Sequence, residues 1–461
     1  MNKRGYFDPG TGGYLLSSLW AAIVGLVSLG IAFVLRIYKD RIKPIFGKKS
    51  TILLFSVLLV GLFVFCLFSM IRHYERYQPT DISGDDIYDI GHNEESQQKN
   101  LPTNMFDNDF YNLVEDKIIN ISFSSFGKDY SIIKTPNSFD GYIQIHDKVI
   151  DNEGNLLNDW MRQGIIDNNG LLYNSNFNSD SSKTMIVTDS TGKITLEKVL
   201  EHNGENYSIH HLNSFTNNGN IAYITSHLEE YRGRQVLFDS IFIIDKDGNI
   251  IDYWSTYEHL DELKKFHGTF ELDVPELFDY DSPGDSDYEY YHTNTVSFVP
   301  HNSREDEGGI FKEGNMILTF RHGSIIVIID KDSKKPIWSI TQKDIPDHLE
   351  GQHSSKMMPD GNIVTFDNGR YRKWSRVIVL EPISKEIVWE YDLDEFCEIM
   401  GGVSYLPNGD FLISEWDKIL EVTPDKEIVW QIQRRGKLIG VANYYPKEYF
   451  NESVLVQWQT D

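Results

Sequence analysis

Cysteine is nearly absent: the 461 residues hold two, Cys66 and Cys397. Cys66 falls inside an apolar run, so no intramolecular disulfide can form beyond it. Phosphate-binding motifs are missing as well. No GxxxxGK[ST] occurs and no GxGxxG follows a strand pattern, so the chain offers no nucleotide cofactor a cradle. Nor is there an HExxH, a paired CxxC or a GxSxG, which leaves no metal or serine-hydrolase motif. Basic charge is scarce, with 43 Lys and Arg against 69 Asp and Glu and a net charge of −26. The first 50 residues carry +6, which leaves −32 on the remainder. Such a field repels nucleic acid and anionic lipid, and favours a solvated surface.

Long uncharged runs are present in two places. Residues 14–35 and 51–71 contain no charged side chain, and each has about the ~20 residues a helix needs to cross a bilayer. The first is too long for a signal-peptide core and lacks a small-residue cleavage site. Between them, residues 36–50 hold Arg36, Lys39, Arg41, Lys43, Lys48 and Lys49 against the single acid Asp40. A short cationic loop stays cytoplasmic. The sequence therefore predicts a two-helix membrane anchor, with the short tail 1–13 and everything after residue 71 outside. The opening YFDPGTGGYLL reads as a turn and a flexible entry to the bilayer.

Residues 72–111 are polar and acidic and read as a stalk. Beyond them the texture is β-rich, with 258–267 (EHLDELKKFH) the main helical exception. Two half-motifs alternate. One is an Asn/Asp-Gly turn between apolar residues, as in MMPDGNIVTF and YLPNGDFLIS; the other is a strand pair that often ends in Trp, as in VLEPISKEIVW. The terminal tryptophans are Trp254, Trp338, Trp389 and Trp430. Repeats of this length with four short strands each are those of propeller blades, whose sheets must stack to bury both faces. Five full repeats plus a partial one predict an all-β, six-bladed β-propeller over 112–461. The C-terminal run ESVLVQWQ is the expected strand that completes the partial blade.

Histidines mark the candidate site. His211, His292 and His353 each precede the first strand of a repeat, the strand nearest a propeller's axis, and His322 follows Arg321 in TFRHGSI. One histidine beside a turn is ordinarily structural. Three at matched repeat positions are expected to converge on one axial pocket. The acidic stretch FDYDSPGDSDYEYY, with Asp279, Asp281, Asp285, Asp287 and Glu289, fits no EF-hand and reads as a solvated loop.

The stretches DYEYYHTNTVSFVP, MILTFRHGSIIVIIDKDSKKPIW, GQHSSKMMPDGNIVTFDNGR and SRVIVLEPISKEIVWEY resemble, in order over about 140–432, the bacterial arylsulfotransferases that need no adenylyl sulfate donor. The resemblance implies a six-bladed propeller that moves a sulfuryl group from a phenolic sulfate ester to a phenol through a sulfated histidine. It requires no cofactor and no metal. A neutral imidazole serves as nucleophile, cationic donors hold the sulfonate oxygens, and a second histidine protonates the departing phenolate. By the same resemblance His292 with Asn294 matches the first active-site histidine, His353 the second, and Arg370 or Arg372 the sulfate-binding arginine. Arg321, His322 and His211 are expected nearby. One departure stands out: the family's sulfated histidine lies in the blade after FDNG, whereas residues 405–422 here contain no histidine. Either another histidine, His353 first, carries the sulfuryl group, or the chain is a binding propeller that has lost the reaction.

Overall fold

The repeat begins in its turns. Asp245 accepts backbone N–H groups from Asp247 and Asn249 at 3.0 and 2.8 Å, and Asp151, Asp167 and Asp189 close their turns in the same way. Gly248 sits at φ 82°. There a Cβ would meet Leu196 Cδ2 at 2.6 Å, so the turn requires glycine.

A computed structural model describes residues 120–123 and 130–460, apart from 146–147, 160–163, 178–182, 212, 268–288, 346 and 435–438. The two apolar runs, the basic loop, the tail 1–13, the stalk and most of the acidic stretch lie outside the described residues. Among the described residues, no helix is long and apolar enough to cross a membrane.

Six antiparallel sheets form blades I to VI. Their first strands are Asn443–Pro446, Ile165–Ile166, Ser214–Phe215, Thr293–Phe298, His353–Met357 and Gly402–Tyr405. Blade I takes this strand from the end of the chain and its other three from residues 141–158, which closes the ring. Blade III carries an extra hairpin, Leu200–His202 with Glu205–Ile209. Blade VI is widened by Tyr130–Lys134 and Asn120–Phe123.

One part of the sequence reading needs correction. ESVLVQWQ is not the closing strand; it belongs to the helix Glu452–Thr460. Its apolar residues repeat at helical spacing. Val454 and Trp458 bury against blades I and II while Val456 stays exposed. The strand Asn443–Pro446 does the closing instead. The helix expected at 258–267 forms over Leu260–Phe266.

Six apolar clusters fill the ring, one at each blade junction. The repeated tryptophans tie the ring together. Trp254, Trp338, Trp389 and Trp430 each donate an indole N–H to a carbonyl in the next blade's outer turn, those of Lys334, Pro382, Pro424 and Asn152. Around the axis the first strands are joined edge to edge. Ser297 Oγ donates to Ser355 O at 2.8 Å, and Ser354 Oγ donates to Val403 O at 3.2 Å. Residues just before these strands therefore meet at one end of the axial channel.

Candidate active site

His292 and His353 reach that end by different local routes. His292 has φ 52°, and His211, in front of blade III, has φ 56°. Left-handed backbone is costly for a residue with a Cβ, and both histidines bear that strain. The backbone before blade IV is pinned on both sides. Tyr290 N donates to Leu237 O at 2.9 Å, Arg321 N to His292 O at 3.1 Å, and His322 N to Tyr291 O at 2.9 Å.

The rings then meet. His211 Nε2 and His292 Nε2 are 2.9 Å apart, and the centroid of His353 lies 6.4 Å from that of His211. His322 is 5.3 Å from His292, and His210 is 6.1 Å from it, centroid to centroid. Four of the histidines singled out in the sequence are thus brought together, and His210 joins them.

Their partners divide into two kinds. Carboxylates serve blades III and IV: Glu289 Oε2 is 2.6 Å from His292 Nδ1, and Asp239 Oδ1 is 3.1 Å from His210 Nε2. Asp239 Oδ2 also accepts from Thr293 N and Oγ1, both at 2.8 Å. Burial pushes the Glu289 carboxyl up, but His292, His322 and His210 outweigh it and hold Glu289 well below the usual carboxylate range. Glu289 is therefore no solvated loop residue, contrary to the reading of the acidic stretch.

A neutral amide serves blade V. His353 Nδ1 is 2.7 Å from Asn368 Oδ1 and 3.0 Å from Gly351 O. Two acceptors at one nitrogen require the proton there, which leaves Nε2 with its lone pair. Asn368 is fixed in turn, since its Nδ2 donates to Cys397 O and Met400 O, each at 2.8 Å. Burial, with Arg321 and His292 adding to it against the Asn368 hydrogen bond, lowers His353 to about 3. Burial likewise lowers His322 to about 4. Both imidazoles are neutral at physiological pH.

The expected ligand residues fare unequally. Arg321 and Arg370 flank Gly351: a Cβ built there would lie 3.9 Å from Arg321 Cγ and from Arg370 Cβ. Arg372 is committed elsewhere, paired with the buried Asp367 at 2.8 Å and donating to His348 O at 3.0 Å. Asn294 is buried, and its Nδ2 donates to Gln352 O at 2.7 Å, bridging blades IV and V.

Sequence reasoning missed His210, Asp239 and Asn368 as site residues. A signal existed for Asp239, a lone acid inside the apolar strand Arg234–Ile244. Lys356 was missed too, although it lies on a first strand. Its Nζ donates to Ser404 Oγ at 2.9 Å and Val403 O at 3.1 Å, and burial lowers it to about 8. Lys356 lines a cavity of about 410 Å³ with Phe215, Pro300, Met357 and Tyr405, at the opposite end of the axis from the histidines. A second cavity, about 510 Å³, opens between blades III and IV beside Trp254 and Met316. Neither cavity is lined by the histidines.

Fold and site together define a six-bladed propeller with a histidine, carboxylate and arginine cluster on its axis. The family model described as Arylsulfotransferase (ASST) matches residues 145–417, and the chain belongs to that family. Membership implies an aryl sulfate donor and a phenol acceptor, with no nucleotide. No curated protein matches the chain. Solved structures similar to it include the Dos1 propeller (10% identity, TM-score 0.34, covering 70% of this chain and 74% of that one). A gluconolactonase, XC5397 from Xanthomonas campestris, is 11% identical with a TM-score of 0.36, covering 68% of this chain and 93% of that one. Likenesses this weak carry no argument about function.

Proposed function

We propose that the chain is an aryl sulfotransferase in which His353 carries the sulfuryl group. The observation that carries this reading is the tether of His353 Nδ1 to Asn368 Oδ1 at 2.7 Å. It leaves a neutral, buried imidazole with Nε2 as its nucleophilic atom. In the first half-reaction Nε2 attacks the sulfur of the aryl sulfate. The N–S bond forms as the S–O bond to the phenol breaks, and the electron pair leaves with the phenolate oxygen. The His211–His292 pair, which shares a proton between its Nε2 atoms, supplies the proton to that oxygen. In the second half-reaction an acceptor phenol returns a proton to the pair, its oxygen attacks sulfur, and His353 is regenerated. Arg321 and Arg370, flanking Gly351, are the donors for the sulfonate oxygens. The test is incubation of the purified protein with a chromogenic aryl sulfate and a phenol acceptor, wild type against His353→Ala.

A second reading, a binding propeller of the cell envelope that has lost the reaction, is favoured by one observation. The blade VI stretch 405–422 offers Glu415, Trp416 and Asp417 but no histidine. Wild-type protein that binds an aryl sulfate without turning it over would establish this reading.

In either case we place the propeller outside the cytoplasm of a bacterial cell, anchored by two membrane spans at residues 14–35 and 51–71. Support comes from the cationic loop 36–50. Protease added to intact cells should remove the propeller; protection of the propeller with cleavage in 36–50 would reverse the orientation.

A further inference from the structure

The carboxylate side of the site has a property that sulfuryl transfer does not require. Glu289, His292 and His322 each offer one ligand atom, and the three atoms lie within 4.8 Å of one another. We propose that these three residues form a binding site for a divalent cation of the zinc class.

The donor set suits such an ion. Two imidazoles and one carboxylate are a common three-ligand set for zinc, and they leave a further position open to an outside ligand. Ligand bonds of about 2.0–2.2 Å place neighbouring ligand atoms about 3–3.5 Å apart. Glu289 Oε2 and His292 Nδ1 are already 2.6 Å apart. An ion entering there takes the place of the proton the two atoms now share, and the third donor has about an ångström to close.

The surrounding bonds carry the inference further. A metal-bound histidine ordinarily has its other ring nitrogen held by a neighbour, which fixes the ring and leaves the ligating nitrogen bare. Both histidines meet that condition. His292 Nε2 lies 2.9 Å from His211 Nε2, and His322 Nδ1 lies 3.3 Å from Glu289 O. Hydrogen bonds between backbones hold the ligand-bearing segments together, with His322 N on Tyr291 O and Tyr290 N on Leu237 O, both at 2.9 Å. The strained φ of 52° at His292 is part of what brings its ring to Glu289. Asp239, beside His210, adds a second negative charge to this side of the channel.

The ion would not displace the proposed chemistry. It occupies the Nδ1 side of His292 and leaves the Nε2 side facing His211. Its open position would accept water or an oxyanion such as sulfate.

The test is direct metal binding, with no turnover in the readout. The full-length protein is stripped with a chelator, dialysed against a slight excess of Zn²⁺ and then against metal-free buffer, and its bound metal counted by elemental mass spectrometry. About one ion per chain is expected, with a melting temperature that rises with free Zn²⁺. Glu289→Gln and His322→Gln should each weaken binding at least tenfold, while His353→Ala should bind as wild type does. Near-UV circular dichroism establishes that each variant is folded, and a misfolded one is replaced by Glu289→Ala or His322→Ala. Wild-type protein that retains far less than one ion per chain would overturn the proposal, as would folded variants that bind as tightly as wild type. Sulfuryl transfer can fail or succeed independently of either result.

Discussion

Blades IV and V are copies of one repeat, yet they present their axial histidines in opposite electrostatic settings. In blade IV, His292 hangs from the carboxylate of Glu289 and keeps 22% of its side-chain surface open. In blade V, His353 hangs from the neutral amide of Asn368 and is buried. A carboxylate supports an imidazolium, whereas an amide oxygen orients the ring without stabilising its charge to the same degree. The same scaffold thus yields one imidazole beside a carboxylate and one beside an amide, and the proposed roles, proton transfer and attack on sulfur, follow that division. The difference lies in the second residue that touches each ring.

The largest expected effect comes from removing the blade V ring. His353→Ala should reduce aryl-sulfate turnover to background, because binding cannot replace a lost nucleophile. Removal of the blade IV ring should be less severe. His292→Ala is expected to cost ~10²–10⁴-fold, the usual range for a general acid or base. A variant that reverses the order of these two losses would invert the assignment of roles.

A subtler variant exchanges the settings. Asn368→Asp gives His353 a carboxylate partner like that of His292 and should raise the imidazole from its present value of about 3. The sign follows directly. Wild type keeps its nucleophile neutral down through weakly acid pH, so its rate should not fall there from this group. In the variant the ring protonates as pH falls through its raised pKa, so the rate should drop on the acid side. A pH–rate profile unchanged on that side would break the comparison.

Blade VI supplies the smallest effect. Glu415 follows the second strand as Asp367 ends it in blade V, but with Lys418 3.7 Å away instead of two arginines. Burial pushes Glu415 up to about 8, against the pull of Lys418. A folded-state pKa above the unfolded one means that the folded protein holds a proton the unfolded chain has released. Stability should therefore decline as pH rises from about 4.5 to 8. Glu415→Gln should raise the melting temperature by a few degrees at pH 9 and change it little at pH 4.5.

How much of this could be read in the sequence follows from the range of the interactions. The Gly turns and terminal tryptophans are local features repeated along the chain, and five full repeats with a partial one pointed to six blades. The closing strand was misassigned because ESVLVQWQ is apolar enough for a strand. Only the burial of Val454 and Trp458 on one side reveals its helical period. His211, His292 and His353 were legible because the repeat fixes where they face. Glu289 was not, because an acid in an acidic stretch looks solvated until the chain passes Leu237 and turns it toward His292. Asn368 stands in the FDNG stretch, but its contact with His353 spans 15 residues and two strands.

Direct detection of the sulfated residue tests the central assignment. Wild-type protein is incubated with an aryl sulfate in the absence of acceptor, digested at alkaline pH, and its peptides mapped by mass spectrometry. The account predicts one SO₃ group on the peptide that contains His353, lost when an acceptor phenol is added and absent from His353→Ala. Sulfation of His211 or His292 with His353 unmodified, or turnover that persists in His353→Ala, would contradict it.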